Sequence, residues 1–412
     1  MPVCPKLPAR PQTPTRRRVT GGGRRDRTVF HFCLVVWAST ILLPPDRLDA
    51  QEKVDPRKGP AWTQPPEDEP DFPLLGEFVG PIRTGENEFR AMGLQVKPVG
   101  GGTFEAIGYH GGLPGQQGHQ PEPLKMLGRR AGDLVVLSGQ PFAVFVRDDH
   151  CLVIDSEGQR LGRLDRIVRQ SPTLGAKPPR GAIVIFDGSD TDQFTSAKMT
   201  EEGLLTEGCE IKPMFQDFNL HLEYRIPYMP AASDQGRGNS GVYLQSRYEC
   251  QILDSFAEEP LFNGHGSLYR FRKPDLNMSF PPLVWQTYDI AFTAPRWAAD
   301  GSKIRNARIT SWVNGVKIHD DVELEDKTGA GKAEEPLLLP TKLQDHGDPV
   351  RFRNIWAVDR GLDSTTPFPV WTEKKRPKAA EDRGGEGKPA DAPQDPPSEQ
   401  DDSEADGVGQ DA

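Results

Sequence analysis

Residues 238–254, which read GNSGVYLQSRYECQILD, constrain the fold most, because they hold two short runs with strand-like alternation. The runs are 242–245 and 248–253, and the two residues between them are few enough for a tight antiparallel hairpin. Because successive side chains of a strand point to opposite faces, one face of this hairpin is apolar and the other carries hydrogen-bonding groups. The stretch therefore predicts a sheet with one buried face and one polar face.

The upstream run 221–228, HLEYRIPY, alternates in the same way. We therefore predict three neighbouring strands that share one polar face. The polar side chains predicted for it are Glu223, Arg225, Tyr243, Gln245, Glu249 and Gln251. The apolar side chains predicted for the buried face are Leu220, Leu222, Tyr224, Ile226, Val242, Leu244, Tyr248, Cys250 and Ile252. Antiparallel sheets often have one wet side, so a polar face that is only solvated remains a second interpretation.

The amino-terminal 50 residues are interpreted as a signal peptide. A basic stretch leads into the apolar run 28–43, which is shorter than the roughly 20 residues of a membrane-spanning helix and is followed by two prolines. We expect cleavage after Ala50 and a body that is secreted, periplasmic or held in the cell envelope. An uncleaved leader is the alternative, and it is the only membrane contact that the sequence predicts.

The carboxyl-terminal residues 373–412 are predicted to be a disordered acidic tail. Residues 379–412 contain eleven acidic side chains and only Val408 as a large aliphatic one, too little to bury a core. The whole chain has a net charge of −10, and residues 51–412 alone carry −16. A nucleic-acid partner is excluded, because it would require a basic surface.

The chain between these ends is predicted to be all-β. We interpret residues 51–71 as a Pro-rich linker, 72–170 as a small all-β domain and 171–182 as a second linker. Residues 183–360 form a larger domain, in which Asn314-Gly315 is the strongest turn signal. Many short alternating runs without a 3.6-residue period predict a two-sheet sandwich of jelly-roll type.

Cofactor signals are weak. Cys151, Cys209 and Cys250 lack metal-ligand spacing, and His110 and His119 in a Gly-rich loop are interpreted as surface histidines. No cofactor is evident. A divalent metal such as calcium, bound by loop carboxylates, stays open, although the carboxylates lack the spacing of a dedicated cage.

Several long motifs resemble those of the DUF1080 family, also called the 3-keto-disaccharide hydrolase domain. They are FDGSD, HLEYRIP, GNSGVYLQSRYECQILDS, GSLYRFRKPD, VWQTYDIAFTA, WVNGVK and LQDHGDPVRFRNIW, in family order over about residues 180–360. The resemblance implies a concanavalin A-like or laminin G-like jelly roll, and the first domain resembles an amino-terminal β extension of some secreted members. The chain departs from the family at His265, where a small residue is commoner, and in its longer loop 230–237.

The resemblance implies cleavage of glycosides whose sugar is already oxidised at C3. Such chemistry needs a base for the C2 proton, a donor or cation for the enolate oxygen and an acid for the leaving group. A non-catalytic extracytoplasmic carbohydrate-binding module is the alternative, and an envelope structural protein is a third class. The expected partner is an oxidised sugar or glycan.

The candidate site residues combine the predicted polar face with the motifs of the family. Glu249 and Glu223 are the candidate carboxylates, and His346 is the candidate proton carrier because an imidazole titrates near neutrality. The alternative roles are a cross-strand ion pair for each glutamate and a turn histidine for His346. The candidate substrate-binding residues are Arg225, Asn239, Ser240, Tyr243, Gln251, Asp254, Tyr269, Trp285 and Arg353.

Overall fold

The computed structural model describes residues 58–139 and 141–362, so the predicted leader and acidic tail lie outside the described residues. The described residues are all-β, as predicted, and their helical structure is limited to short 3-10 turns such as Phe72–Leu74. None of the described helical segments has the length and apolar character needed to cross a bilayer.

The first part of the fold is a closed eight-stranded barrel in which each strand pairs antiparallel with the next and the last pairs with the first. Its strands are β1 (Gly76–Arg83), β2 (Phe89–Pro98), β3 (Thr103–His110), β4 (Pro123–Ala131), β5 (Leu134–Gly139), β6 (Phe142–Val146), β7 (His150–Asp155) and β8 (Arg160–Ile167). Alternate residues point inward, as Phe142, Val144 and Val146 of β6 do. Period-two sequences thus fill the barrel with apolar side chains.

The second part is a two-sheet β-sandwich. Its strands are β9 (Ile183–Phe186), β10 (Phe194–Thr195), β11 (Leu205–Thr206), β12 (Cys209–Ile211), β13 (Asp217–Arg225), β14 (Ser240–Leu244), β15 (Tyr248–Ile252), β16 (Trp285–Thr293), β17 (Arg296–Trp297), β18 (Lys303–Arg305), β19 (Ala307–Val313), β20 (Val316–Leu324), β21 (Lys342–Leu343) and β22 (Arg351–Gly361).

The strands of the sandwich form two main sheets. The five-stranded sheet has the order β10-β12-β21-β14-β15, and the seven-stranded sheet has the order β11-β22-β13-β16-β19-β20 with β9 beside β22. One apolar core lies between the sheets and contains every side chain predicted for the buried face. Asn314 and Gly315 connect β19 to β20 with φ angles of 52° and 77°, the left-handed conformation that a tight hairpin turn requires. The predicted turn is confirmed.

The barrel and the sandwich belong to the same compact unit of the chain, and buried polar contacts connect them. Lys97 of β2 is 2.7 Å from Glu258, and Arg237 of the sandwich donates to the carbonyl oxygen of Pro98, 3.2 Å away. The loop 230–237, noted above for its length, lies against the turn between β2 and β3, where Gly100 approaches Pro230. The loop therefore takes part in the contact with the barrel.

Candidate functional site

The predicted polar face is divided between two sheets, so the expectation that Glu223, Arg225, Glu249 and Gln251 are nearest neighbours is wrong. Glu223 and Arg225 lie on β13, whose partners are β16 and β22 of the seven-stranded sheet. Glu249 and Gln251 lie on β15 of the five-stranded sheet. Both strands direct apolar side chains into the shared core, so their polar side chains point away from it on opposite sides of the sandwich.

The outer face of the five-stranded sheet around Glu249 is called here the Glu249 face. Tyr243 pairs with Glu249, and Gly241 pairs with Gln251 across β14 and β15. Oriented to satisfy its neighbours, the Gln251 amide donates its nitrogen to Glu249 Oε1 at 3.1 Å and to the Ser240 carbonyl oxygen at 2.9 Å. One oxygen of the Glu249 carboxyl group is thereby fixed in place.

The other oxygen of the Glu249 carboxyl group is unpaired. Glu249 Oε2 is buried and has no hydrogen-bond partner among the described residues. Burial raises the pKa of Glu249 to about 7, although a hydrogen bond with the Tyr243 hydroxyl and the charge of Lys342 act in the opposite direction. A carboxyl group that titrates near neutrality and has a free oxygen has the properties of a general base.

Gly241 lies directly against this carboxyl group. A Cβ atom at position 241 would lie only 2.7 Å from Glu249 Oε1 and 3.2 Å from Gln344 Oε1. Gln344 Oε1 is also buried without a partner among the described residues. The absence of a side chain at position 241 therefore lets the Glu249 carboxyl group and the Gln344 amide lie close to the backbone of β14.

Further polar side chains lie around the Glu249 carboxyl group. The Lys342 ammonium lies 4.3 Å from the centroid of the Tyr243 ring, and Gln344 Nε2 donates to the Tyr243 hydroxyl at 3.3 Å. The backbone nitrogen of Tyr269 donates to the Glu249 carbonyl at 3.1 Å. The face thus combines an ionisable carboxyl group with a cation, a phenol and amide groups.

The loop that carries His346 is attached to the Glu249 face from two directions. Ser240 Oγ donates to the Gln344 carbonyl at 2.8 Å, and the backbone nitrogen of Asn239 donates to Asp348 Oδ2 at 2.8 Å. Lys58, in the predicted linker 51–71, binds the other oxygen of Asp348 at 2.6 Å. His346 is exposed, two residues beyond Gln344. The structure therefore places its loop at this face without giving the imidazole a fixed contact.

Two of the predicted substrate contacts have structural partners instead. Asp254 is buried and pairs with Arg237 at 2.7 Å, in the group that contacts the barrel. The Asn239 side chain donates to the Gln235 carbonyl at 2.7 Å and so shapes the loop next to the site. The carboxylate of Asp254, predicted as a substrate-binding group, is therefore engaged with Arg237 away from solvent.

The outer face of the seven-stranded sheet, called here the His221 face, contains a sealed ion network. His221 Nδ1 is 2.6 Å from Asp289 Oδ1, and its Nε2 is 3.8 Å from Glu223 Oε1. Thr173 donates to Asp289 Oδ2 at 2.8 Å, and His221 stacks on Trp356 with ring centroids 4.9 Å apart. All of these side chains are buried.

The ionisation states of this network follow from its contacts. Burial alone would lower the pKa of His221, but hydrogen bonding and attraction to Asp289 and Glu223 raise it to about 9. Burial alone would raise the pKa of Glu223, but hydrogen bonds from His221, Asn354, Gly175 and Arg353 lower it to about 2. Both groups are therefore held charged near neutrality.

Both carboxylate oxygens of Glu223, a candidate catalytic residue, accept hydrogen bonds within the protein. Gly175 N and Asn354 Nδ2 donate to its Oε1 at 2.5 and 2.8 Å, and Arg353 Nε donates to its Oε2 at 2.7 Å. The segment 171–176, in the predicted interdomain linker, covers it. Arg225 and Trp285 lie on this same face, so with Arg353 they are separated from the Glu249 face by the core.

The sequence reasoning missed Lys342, Gln344 and Gln235 at the Glu249 face. Lys342 and Gln344 alternate with the buried Leu343, the same period-two signal that identified the hairpin, but β21 is only two residues long. Gln235 comes from a loop, and its Oε1 lies 3.2 Å from the Gln251 amide. Short edge segments and loops give little periodic signal.

Metal and disulfide chemistry have no visible centre in the described residues. Within 58–139 and 141–362, no group of three or more His, Cys, Asp or Glu side chains is arranged to hold a metal ion. Cys151, Cys209 and Cys250 are free and buried.

A family model described as the 3-keto-alpha-glucoside-1,2-lyase-like domain matches residues 181–358. A crystal structure from Parabacteroides distasonis shares 32% identity with this chain, covers 44% of it and 84% of its own length, and has a TM-score of 0.41. A second from the same organism shares 17% identity over 47% of this chain and 98% of its own, with a TM-score of 0.32. Both are described as putative glycosyl hydrolases. No curated protein shows a significant match.

Proposed function

This chain belongs to the 3-keto-alpha-glucoside-1,2-lyase-like domain family, and we propose that it cleaves glycosidic bonds of sugars that carry a ketone at C3. The family match supports a carbohydrate substrate. The reaction class is supported by the chemistry of the Glu249 face, which offers a single base near neutrality. Ordinary glycosidases instead use two carboxyl groups at a defined separation.

The proposed reaction is an elimination followed by hydration. The C3 ketone acidifies the C2 proton, and a base removes that proton to give an enolate. The enolate reforms the ketone as the C1–O bond breaks, which leaves a C1–C2 double bond while the leaving oxygen takes a proton from an acid. Addition of water across that double bond, with hydroxyl at C1 and hydrogen at C2, completes the hydrolysis.

The observation that carries this proposal is the unpaired, buried oxygen of the Glu249 carboxyl group. Its Oε2 is buried without a partner among the described residues, its Oε1 lies close to Gly241, and the pKa of the group is about 7. A base of this pKa is substantially ionised at neutral pH and still accepts a proton readily. We assign it the C2 proton.

Two neighbouring groups fit stabilisation of the enolate oxygen. Lys342 supplies a positive charge, and burial raises the pKa of the Tyr243 hydroxyl, which stays protonated and able to donate. Fixed donors and cations that face developing charge are the usual source of such stabilisation. His346, on the loop after Gln344, is proposed as the acid that protonates the leaving group.

The decisive experiment compares a 3-keto-glycoside with its unoxidised parent and measures release of the leaving group. The expected result is turnover of the ketone alone, with solvent deuterium incorporated at C2 of the product. Equal cleavage of the parent would contradict the elimination mechanism. Binding of either sugar without any turnover would support the alternative, a carbohydrate-binding module.

We also propose that the domain has the concanavalin A-like jelly-roll topology and that the protein acts outside the cytoplasm. The two-sheet architecture supports the first proposal. The second depends on the leader sequence and is tested by amino-terminal sequencing of exported protein. An intact Met1 in a soluble cytosolic fraction would contradict it.

A further inference from the structure

We propose that Arg225, Arg353 and Trp285, at the edge of the His221 face, bind a small oxyanion such as the carboxylate or sulfate group of an acidic sugar. These residues lie on the outer side of the seven-stranded sheet, whereas the Glu249 face belongs to the five-stranded sheet. The proposal concerns a second site, and it does not depend on the reaction assigned to Glu249.

Two guanidinium groups, those of Arg225 and Arg353, contact the indole ring of Trp285. Trp285 of β16 pairs with Arg225 of β13, which pairs in turn with Arg351 of β22. The guanidinium carbons of Arg225 and Arg353 lie 5.0 and 4.0 Å from the centroid of the Trp285 ring. Contact with the indole holds both guanidinium groups in place, so their N–H groups are presented in a fixed arrangement.

Arg225 lacks the acceptors that a buried guanidinium normally has. Its side chain is only 13% exposed, yet it makes no hydrogen bond to any described residue, and its Nε is fully buried. Glu202 is its ion-pair partner at 4.0 Å, but that carboxylate is 60% exposed and also accepts from Gln64. Buried charged donors are costly to leave unpaired. The arrangement therefore lacks an acceptor that a bound oxyanion would supply.

The nearby carboxylates are engaged elsewhere. Glu223 accepts from Arg353 at 2.7 Å, and Glu207 accepts from Arg351 at 3.3 Å. Burial lowers the pKa of Arg225, Glu202 opposes that shift, and the charges of Arg351 and Arg353 add to it. An oxyanion between Arg225 and Arg353 would relieve this repulsion and accept hydrogen bonds from a guanidinium fork.

The first test is calorimetric titration of the full chain with sodium sulfate, sodium glucuronate and glucose at an ionic strength held constant with sodium chloride. The expected result is saturable binding of at least one oxyanion and none of glucose. Binding of glucuronate points to a sugar carboxylate, whereas binding of sulfate alone points to sulfated or inorganic anions. Absence of saturable binding by both oxyanions would overturn the proposal.

The second test uses Arg225→Met, with Arg308→Met as the matched control. Arg308 lies on β19 of the same sheet, and Asp321 and Glu323 satisfy its guanidinium. We expect Arg225→Met to weaken anion binding at least about tenfold, because a charged fork is lost. We expect Arg308→Met to leave binding unchanged. Equal affinity in wild type and Arg225→Met would overturn the assignment.

A folding defect is separated from a binding defect in two ways. The melting temperature of anion-free Arg225→Met should match or exceed that of wild type, because the substitution removes a largely buried charge whose ion-pair partner Glu202 is exposed. Arg225→Lys keeps the charge but loses the fork, so it should fold and still bind the anion more weakly than wild type. Full affinity in Arg225→Lys would contradict recognition by the guanidinium fork.

Discussion

The two outer faces of the sandwich each bury a glutamate, and the two glutamates have opposite ionisation behaviour. Glu223 and Glu249 are both almost completely buried. Glu223 has donors on both oxygens and a pKa of about 2, whereas Glu249 has one open oxygen and a pKa of about 7. Burial raises the pKa of both carboxyl groups, but Glu223 receives more hydrogen bonds than Glu249, some of them from charged donors. The comparison shows that the hydrogen-bond donors around a buried carboxyl group decide whether its pKa lies far below neutrality or close to it.

The largest expected effect is loss of turnover when the reactive carboxyl group is replaced. Glu249→Gln keeps the volume of the side chain and removes the base, so kcat for a 3-keto-glycoside should fall by about a hundred- to ten-thousand-fold. The melting temperature should change little, because Oε2 has no bond to lose. Steady-state kinetics measure the effect, and Glu323→Gln, on the exposed edge of β20, is the control. Activity within a few-fold of wild type would remove Glu249 from the mechanism.

A substitution on the His221 face should change the stability of the protein. Asp289→Asn leaves the protonated His221 without its closest anion, which should cost roughly 3–5 kcal/mol of unfolding free energy, the range for a broken buried pair. Turnover per folded molecule should stay within a few-fold of wild type. Denaturant unfolding with parallel kinetics tests both parts. A large loss of kcat in fully folded variant would show that this network takes part in catalysis.

The stability of wild type should also depend on pH through this network. The pKa of His221 is raised to about 9, so its contribution is complete below the unfolded value of about 6.5 and is lost as pH rises through 9. The pKa of Glu223 is lowered to about 2, so its contribution is complete above about 4.5 and is lost as pH falls through 2. Urea midpoints measured from pH 2 to 10 should reveal both losses. In the Asp289→Asn variant, the loss of stability at alkaline pH should be smaller than in wild type.

Replacement of the proposed acid should lower turnover by at least about a hundredfold. His346→Gln removes a proton carrier from an exposed turn, so the melting temperature should not change. Substrates with better leaving groups should suffer less, because they need less protonation. A uniform loss for all leaving groups, or none, would indicate that His346 is only a turn residue.

The smallest expected effect concerns the segment before the barrel. Lys58→Ala removes the ion pair with Asp348, which holds the His346 loop to Asn239, and should lower kcat/KM by up to about tenfold through weaker positioning. Lys58→Arg should restore most of the activity. The control is Lys317→Ala, which breaks an exposed ion pair with Asp320. Wild-type kinetics in Lys58→Ala would show that the segment does not shape the site.

The sequence by itself determined which side of each strand is buried. Side chains alternate with a period of two, so the core positions of β13, β14 and β15 follow from residue type alone, and every predicted one is in the core. The Asn314-Gly315 turn follows from local conformational preference in the same way. Half of the candidate site could also be predicted from the sequence, because Tyr243, Glu249 and Gln251 lie on one hairpin. A short turn fixes the register of that hairpin.

Only the tertiary structure decided which strands are neighbours. Alternation orients a side chain relative to its own sheet but does not identify the sheet, so β13 and β15 looked alike while they lie on opposite sides of the core. The roles of Glu223 and Glu249 then diverged through contacts distant in sequence, such as Gly175 and Arg353 at one and Lys342 and Gln344 at the other. Donors such as Gly175 and Arg353, which lie 48 and 130 residues from Glu223 in the sequence, set the ionisation of this buried group, and no local pattern encodes them.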